Sequence, residues 1–86
     1  MWYVYILKSD KDKKFYTGLT NDLRKRLKHH SDGNSFSTRS RRPFALIYYE
    51  ACVARHDAAV REQYLKSGMG KRYIQNRIKR FLSLTG

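Results

Sequence analysis

The chain has 86 residues and a mass of 10.3 kDa, room for one small hydrophobic core and not for a second. Nineteen Lys and Arg oppose seven Asp and Glu, a formal charge of +12 with a sequence pI near 10.2, and a polyanion is the partner such a surface selects. Hydrophobic residues at 41% argue against a disordered chain, and the longest apolar run, Trp2–Leu7, is far too short to cross a bilayer.

Trp2–Leu7 is aromatic and β-branched and reads as a buried strand. Ser9-Asp10-Lys11-Asp12 is turn material, and Lys14–Gly18 reads as the returning strand of a hairpin. With residues 9–12 in the turn, Lys8 faces Lys13 and Tyr5 lies opposite Tyr16, two phenols side by side on one face. Thr20 is placed as the N-cap of a helix reaching about His30, with Asp22 in its first turn. Leu23 and Leu27 mark its core stripe, and Arg26 and His30, one turn apart, share the border between core and surface. Residues 33–43 form a polar loop containing Thr38-Arg39-Ser40-Arg41-Arg42-Pro43, and Phe44–Glu50 reads as a third strand. A second helix runs from about Arg55 or Asp57 to Lys66, with Ala58, Glu62 and Leu65 on its inward side. Ser67-Gly68-Met69-Gly70 breaks the chain before a last amphipathic helix marked by Ile74, Ile78, Phe81 and Leu82. The order ββαβαα describes an α+β fold, one domain over residues 1–86, with a small three-stranded, mainly antiparallel sheet flanked by helices.

The positive charge is spread over folded elements rather than gathered in a tail. Arg24 and Lys28 on the first helix, Arg39, Arg41 and Arg42 in the loop, and Lys71 and Arg72 after the break are the candidate phosphate contacts; the plainer reading is a solvated basic surface. His29, His30, His56 and Cys52 lack zinc-site spacing, and Gly68-Met69-Gly70-Lys71 lacks the Walker spacing of a phosphate loop. A single cysteine forms no internal disulfide and no secretory leader is read at the start, so a reducing, cytoplasmic setting without a membrane partner is expected.

Tyr3-Val4-Tyr5 and Tyr16-Thr17-Gly18 resemble the two tripeptides of the GIY-YIG nuclease family. The spacing continues: Arg26 follows Tyr16 by ten residues, as the family's arginine does, and His30 by fourteen. Glu62, in Arg61-Glu62-Gln63, stands where the family carries a metal-binding glutamate on a later helix. The likeness covers nearly the whole chain, is nearest the short stand-alone bacterial members, and is similar to the N-terminal nuclease domain of the excision-repair protein UvrC. Departures are Tyr3 for the leading glycine, Thr17 within the second tripeptide, Leu19 where UvrC has lysine, and Asn76, which matches the family's late asparagine in type but not in spacing. The resemblance implies an endonuclease using Mg²⁺ or Mn²⁺ to hydrolyse DNA. Tyr5 would be the general base, Tyr16 would orient water or phosphate, and Arg26 would clamp a phosphate oxygen. His30 would bond phosphate or tune a tyrosine, and Glu62 would hold the metal.

Elementary chemistry is compatible with that assignment. Mg²⁺ works with one or two protein carboxylates plus substrate phosphate. A guanidinium fork matches phosphate as an ammonium does not, and beside a phenol it favours the phenolate and lowers the pKa. Taken singly, each residue has a plainer role: strand tyrosines pack, Arg26 is solvated, His30 caps a helix end, and Glu62 pairs with Lys66. The rival functions are a nucleic-acid-binding module without turnover on the same scaffold, and a ribosome- or RNA-associated factor. An inward-facing carboxylate amid a charge of +12 favours the enzyme, because it would repel phosphate unless a cation bridged the two. Substrate form, a specificity-giving protein partner and the oligomeric state are left open by the sequence.

Overall fold

The run Val4–Leu7 shows no polar alternation because it lies at the centre of the sheet, buried on both faces. Strand β1 (Trp2–Ser9) pairs antiparallel with β2 (Phe15–Thr20) on one side and with β3 (Phe44–Cys52) on the other, giving the order β2-β1-β3. The computed structural model describes residues 1–36 and 38–85. Helix α1 (Leu23–Ser31) lies on the sheet face carrying Tyr5 and Leu7, while α2 (Arg55–Lys66) and α3 (Gly68–Arg77) cover the face carrying Val4 and Ile6. A short helix α4 (Lys79–Thr85) follows α3. The α+β class and the antiparallel three-stranded sheet are as expected.

The hairpin register differs from the expected one by two residues. Lys8 pairs with Phe15, Leu7 with Tyr16 and Tyr5 with Gly18, so Tyr5 and Tyr16 are diagonal neighbours rather than directly opposed. A slip of two preserves the face, which is why both phenols still point the same way. The turn is longer than four residues because Ser9 closes it: its hydroxyl accepts from the Lys11 and Asp12 amides, and Lys13 takes a left-handed φ of 62°. Gly18 stands opposite Tyr5, where a Cβ would overlap the phenol ring and hydroxyl.

Strand β3 carries an irregularity between the pairs Ile6–Tyr48 and Leu7–Leu46, which leaves Ile47 as the extra residue of a bulge. Both Ile47 and Tyr48 thereby pack on the α2–α3 core, although they are adjacent in sequence. That core is Val4, Ile6, Ala58, Leu65 and Ile74. Beside it, Glu50 of β3 accepts from Tyr48 Oη at 2.8 Å and from Arg61 Nε and Nη2 of α2, and the Arg61 guanidinium lies over the rings of Tyr64 and Tyr73. The Arg61 bond holds the Glu50 carboxyl below its ordinary range against its burial. Burial and the neighbouring carboxylate push the Tyr48 phenol up to about 12.

Three helix boundaries are corrected by their caps. Asp22, not Thr20, is the N-cap of α1: its carboxylate accepts from Lys25 N at 3.1 Å, while Thr20 Oγ1 accepts from Asp22 N and shapes the approach. Ser67 caps α3 by accepting from Gly70 N, so the glycine-rich segment starts a helix at once instead of forming a loop. The last helix is divided at Ile78, which leaves the α-helical region between α3 and α4. Gly70 permits the tight α2–α3 corner, since a Cβ there would overlap the Tyr64 carbonyl and crowd Leu65 Cα at 2.5 Å. Backbone cannot rotate away, so Gly70→Ala is expected to lower the urea midpoint by the equivalent of about 1–3 kcal/mol with the urea m-value unchanged. Among the described residues no helix is long and apolar enough to cross a membrane.

Candidate active site

Among the described residues strand β2 is an edge of the sheet, and beside it three of the other four candidate catalytic residues, Tyr16, Arg26 and His30, gather around Tyr5. Tyr5 is fully buried in the sheet, with its hydroxyl at the α1 side. Its oxygen lies 2.8 Å from His30 Nε2 and accepts from Arg26 Nε at 3.3 Å. The i,i+4 spacing on α1 thus delivers both groups to one phenol, as the helix border predicts. The Tyr16 ring meets the His30 imidazole edge-on, with centroids 5.2 Å apart. Arg26 is held above its ordinary value chiefly by the Tyr5 bond, against some burial, with the nearby Tyr16 phenol adding to it.

Glu62 reaches this group from the opposite face of the sheet. Its side chain is 17% exposed, it pairs with Lys66 Nζ at 3.4 Å, and its charge is close enough to raise the Tyr5 pKa by repulsion. It therefore satisfies both readings, the inward carboxylate and the i,i+4 ion pair. Lys66 and Lys71 share a hollow of about 220 Å³ with Tyr16 and Thr17, so two cations flank the β2 edge. No group of three His, Cys, Asp or Glu converges among the described residues.

The pull of Arg26 on the Tyr5 phenol has the expected sign but does not decide the net shift. Arg26 does pull the phenol pKa down, but burial outweighs it and the net shift is upward. His30 is 1% exposed, and its burial, with Arg26 and His29 nearby, lowers its pKa from 6.5 to about 4. The imidazole is accordingly neutral at pH 7. Because the folded value lies below the unfolded one, its contribution to stability is complete above pH 6.5 and is lost as pH falls towards 4. In urea titrations between those limits, wild type is expected to lose up to about 3 kcal/mol more than His30→Gln. Equal slopes for the two proteins would contradict the neutral, buried imidazole.

The proposed phosphate contacts divide. Arg24, Arg39, Arg42, Lys71 and Arg72 are exposed, as is Lys28, whose ammonium pairs with Asp32 at 2.9 Å. Arg41 is different: half-buried, it binds Asp12 at 2.8 Å and lies over the Phe44 ring, so it ties the loop to the hairpin. Asn76 is exposed on α3. Sequence reasoning missed Thr38, fully buried, whose Oγ1 lies 2.8 Å from His30 Nδ1. Nothing in the local sequence marks the contact.

The family profile described as the GIY-YIG catalytic domain matches residues 1–78. The chain belongs to the GIY-YIG nuclease family. A relative in Clostridium perfringens, the UPF0213 protein CPE1444, is 48% identical over 67 residues, 77% of this chain and 71% of that protein. The UPF0213 protein YazA of Bacillus subtilis is 42% identical over 65 residues, covering 74% of this chain and 65% of YazA. Among solved structures, the solution NMR structure of the UPF0213 protein BH0048 from Bacillus halodurans is similar, at 35% identity with a TM-score of 0.56, covering 88% of this chain and 84% of that one. Within the GIY-YIG frame Tyr3-Val4-Tyr5 lies on β1 and Tyr16-Thr17-Gly18 on β2, with the final glycine of the second tripeptide packed against the last tyrosine of the first.

Proposed function

We propose that this protein is a metal-dependent endonuclease that hydrolyses DNA phosphodiester bonds, with Tyr5 as the general base. The observation that carries the reading is the Tyr5 oxygen held between Arg26 and His30 within the electrostatic reach of a lone Glu62. A buried phenol used only for packing needs one polar partner, and this one has two besides a neighbouring carboxylate.

The donor set fits an ion that takes few protein ligands. One carboxylate, paired loosely with a half-exposed lysine, suits Mg²⁺ or Mn²⁺ completed by water and substrate phosphate, and suits zinc poorly. Glu62 would hold it, and the ion would supply charge neutralisation at the leaving oxygen. The chain's own residues do the rest. Arg26, whose Nε engages Tyr5, offers its remaining N–H groups to a non-bridging oxygen. Tyr5 takes the proton of the attacking water, and Tyr16 orients that water or the phosphate. Lys66 and Lys71 hold the strand along the β2 edge, with Arg24, Lys28, Arg39, Arg42 and Arg72 as further phosphate contacts. Family resemblance implies 5′-phosphate and 3′-hydroxyl products.

The test is an end-labelled cleavage assay on single-stranded, duplex and branched DNA and on RNA, with Mg²⁺, Mn²⁺ or EDTA. Wild type is compared with Glu62→Ala and Tyr5→Phe. Metal-dependent cuts absent from both variants support the reading. Binding without cuts under every condition would replace it with a nucleic-acid-binding module.

A further inference from the structure

Between the C-terminal half of α1, the 39–43 segment and the start of β3 lies an open cavity of about 730 Å³. That is the size of a small-molecule site, roughly 300–1,000 Å³. Its walls are apolar and aromatic: Leu7, Leu27, Leu46, Phe44 and the His30 imidazole. Its rim is cationic, from Lys11, Arg39 and Arg42, and among the described residues no Asp or Glu lines it. The rim is pinned by hydrogen bonds. Arg42 Nε donates to Arg39 O and Nη1 to Ser31 O, Lys11 Nζ donates to Ser40 O, and Ser9 Oγ donates to Arg41 O. Gly33, with a φ of 77°, lets the Arg42 guanidinium lie against the end of α1, where a Cβ would meet Cζ at 2.6 Å. Among the described residues none of these three cations is paired with a carboxylate. Their charge is therefore available to an anion.

Outside the rim stands Phe36, 83% exposed, with the Arg39 guanidinium 5.1 Å from its ring centroid. Arg41 lies over Phe44 in the same way, at 5.6 Å. Each ring thus carries a guanidinium. Aromatic faces alternating with fixed cations suit a strand whose bases stack while its phosphates run alongside. In an intact duplex the bases show only their edges, so a flat heterocycle enters a recess or covers a ring only when unpaired.

We propose that the α1–β3 cavity receives one unpaired base of a DNA strand, that Phe36 stacks on a neighbouring base, and that Lys11, Arg39 and Arg42 hold the phosphates between them. The protein accordingly binds single-stranded DNA in preference to intact duplex. The proposal rests on the nucleic-acid reading above, extends it to the form of the substrate, and does not depend on catalysis. His30 joins the cavity to the candidate active site: its ring walls the one, and its Nε2 lies 2.8 Å from the Tyr5 oxygen of the other.

The test is equilibrium binding of labelled DNA in EDTA, which blocks metal-dependent cutting, at about 0.2 M salt, where binding through phosphates alone is weakened. The probes are a single strand, its duplex, and a strand of the same length in which every base is replaced by an abasic site. The two single strands carry the same phosphate charge and differ only in their bases. Wild type is expected to bind the normal strand more tightly than the abasic strand and the duplex. Phe36→Ala, a truncation at an exposed position outside the core, is expected to lose about 5- to 100-fold in affinity for the normal strand and to leave the other two affinities unchanged. In methyl spectra of wild type, the normal strand and not the abasic one should shift the Leu27 and Leu46 resonances through the ring current of the seated base. Equal affinity for normal and abasic strands, a preference for duplex, or unmoved Leu27 and Leu46 methyls would overturn the proposal and leave a charge-driven DNA binder. Failure to bind any of the three probes would overturn the nucleic-acid reading together with it.

Discussion

Glu62→Gln is expected to reduce metal-dependent cleavage about a thousand-fold while leaving nucleic-acid affinity equal to or above that of wild type. The loss follows from Glu62 being the carboxylate proposed to hold the cation, with no converging group of three His, Cys, Asp or Glu among the described residues to replace it. The affinity follows from charge: Glu62 is within electrostatic reach of Tyr5, and removing its charge removes repulsion of a phosphate bound there. Stability should change by no more than about 0.5 kcal/mol, because the Lys66 pair is long and its ammonium is half-exposed. A further sign check separates metal loss from damage to the base. Glu62 raises the Tyr5 pKa, so the variant should ionise Tyr5 more easily and still fail to cut. Cleavage that survived in Glu62→Gln, measured under single-turnover conditions, would remove this residue from the mechanism.

Gly18→Ala is expected to destabilise the fold by about 1–3 kcal/mol, a fall of roughly 4–20 °C in Tm for a chain of this size, and to abolish most activity at temperatures where it remains folded. A methyl group there meets the Tyr5 hydroxyl and ring carbons, with Cε1 at 2.8 Å. Tyr5 must then leave the position in which Arg26 and His30 reach it, so stability and turnover fail together. The same exchange at Gly68 meets nothing within 4 Å and lies in the first turn of α3, where losing glycine's freedom is expected to stabilise by about 0.5 kcal/mol. Thermal melts of both variants, with cleavage assayed below each midpoint, test the contrast. An unperturbed Gly18→Ala would mean that the close approach of Tyr5 to β2 is not needed.

Much of the site was legible because helix and strand periods are local rules. Arg26 and His30 stand four apart, and any helix through them presents both to the same neighbour. Glu62 faces inward for the same reason, set by Ala58 and Leu65. The β3 strand and α2 were placed within two residues of their observed ends. The hairpin register was harder. Turn residues suggested a four-residue connection, whereas the register is set by the bulk of Tyr5 against Gly18 and by the Ser9 hydroxyl inside the turn. Neither is visible from turn propensity. In sequence Asp22 reads as a favourable first-turn charge, yet its side chain reaches the amide three residues on and makes it the cap. The sign of the Tyr5 shift also escaped, because charge neighbours can be read from spacing while depth of burial requires the packed sheet. Thr38 belongs to that class too: a threonine in a polar loop carries no mark of being sealed against an imidazole.

The acid-poor stretch that follows Glu62 has a kinetic consequence. Lys66, Lys71, Arg72, Arg77, Lys79 and Arg80 lie on α2, α3 and α4, and residues 63–86 contain no Asp or Glu. The molecule is 33 Å long, so laid along a duplex it spans roughly 19 phosphate charges. At low ionic strength capture is then fast and escape slow, and under the proposed function a small enzyme that must release its product before cutting again would be throttled by its own grip. Adding salt loosens that grip before it abolishes encounter. Multiple-turnover rates should therefore climb with salt, pass through a maximum and fall, while the single-turnover rate at saturating protein stays level across the rising part.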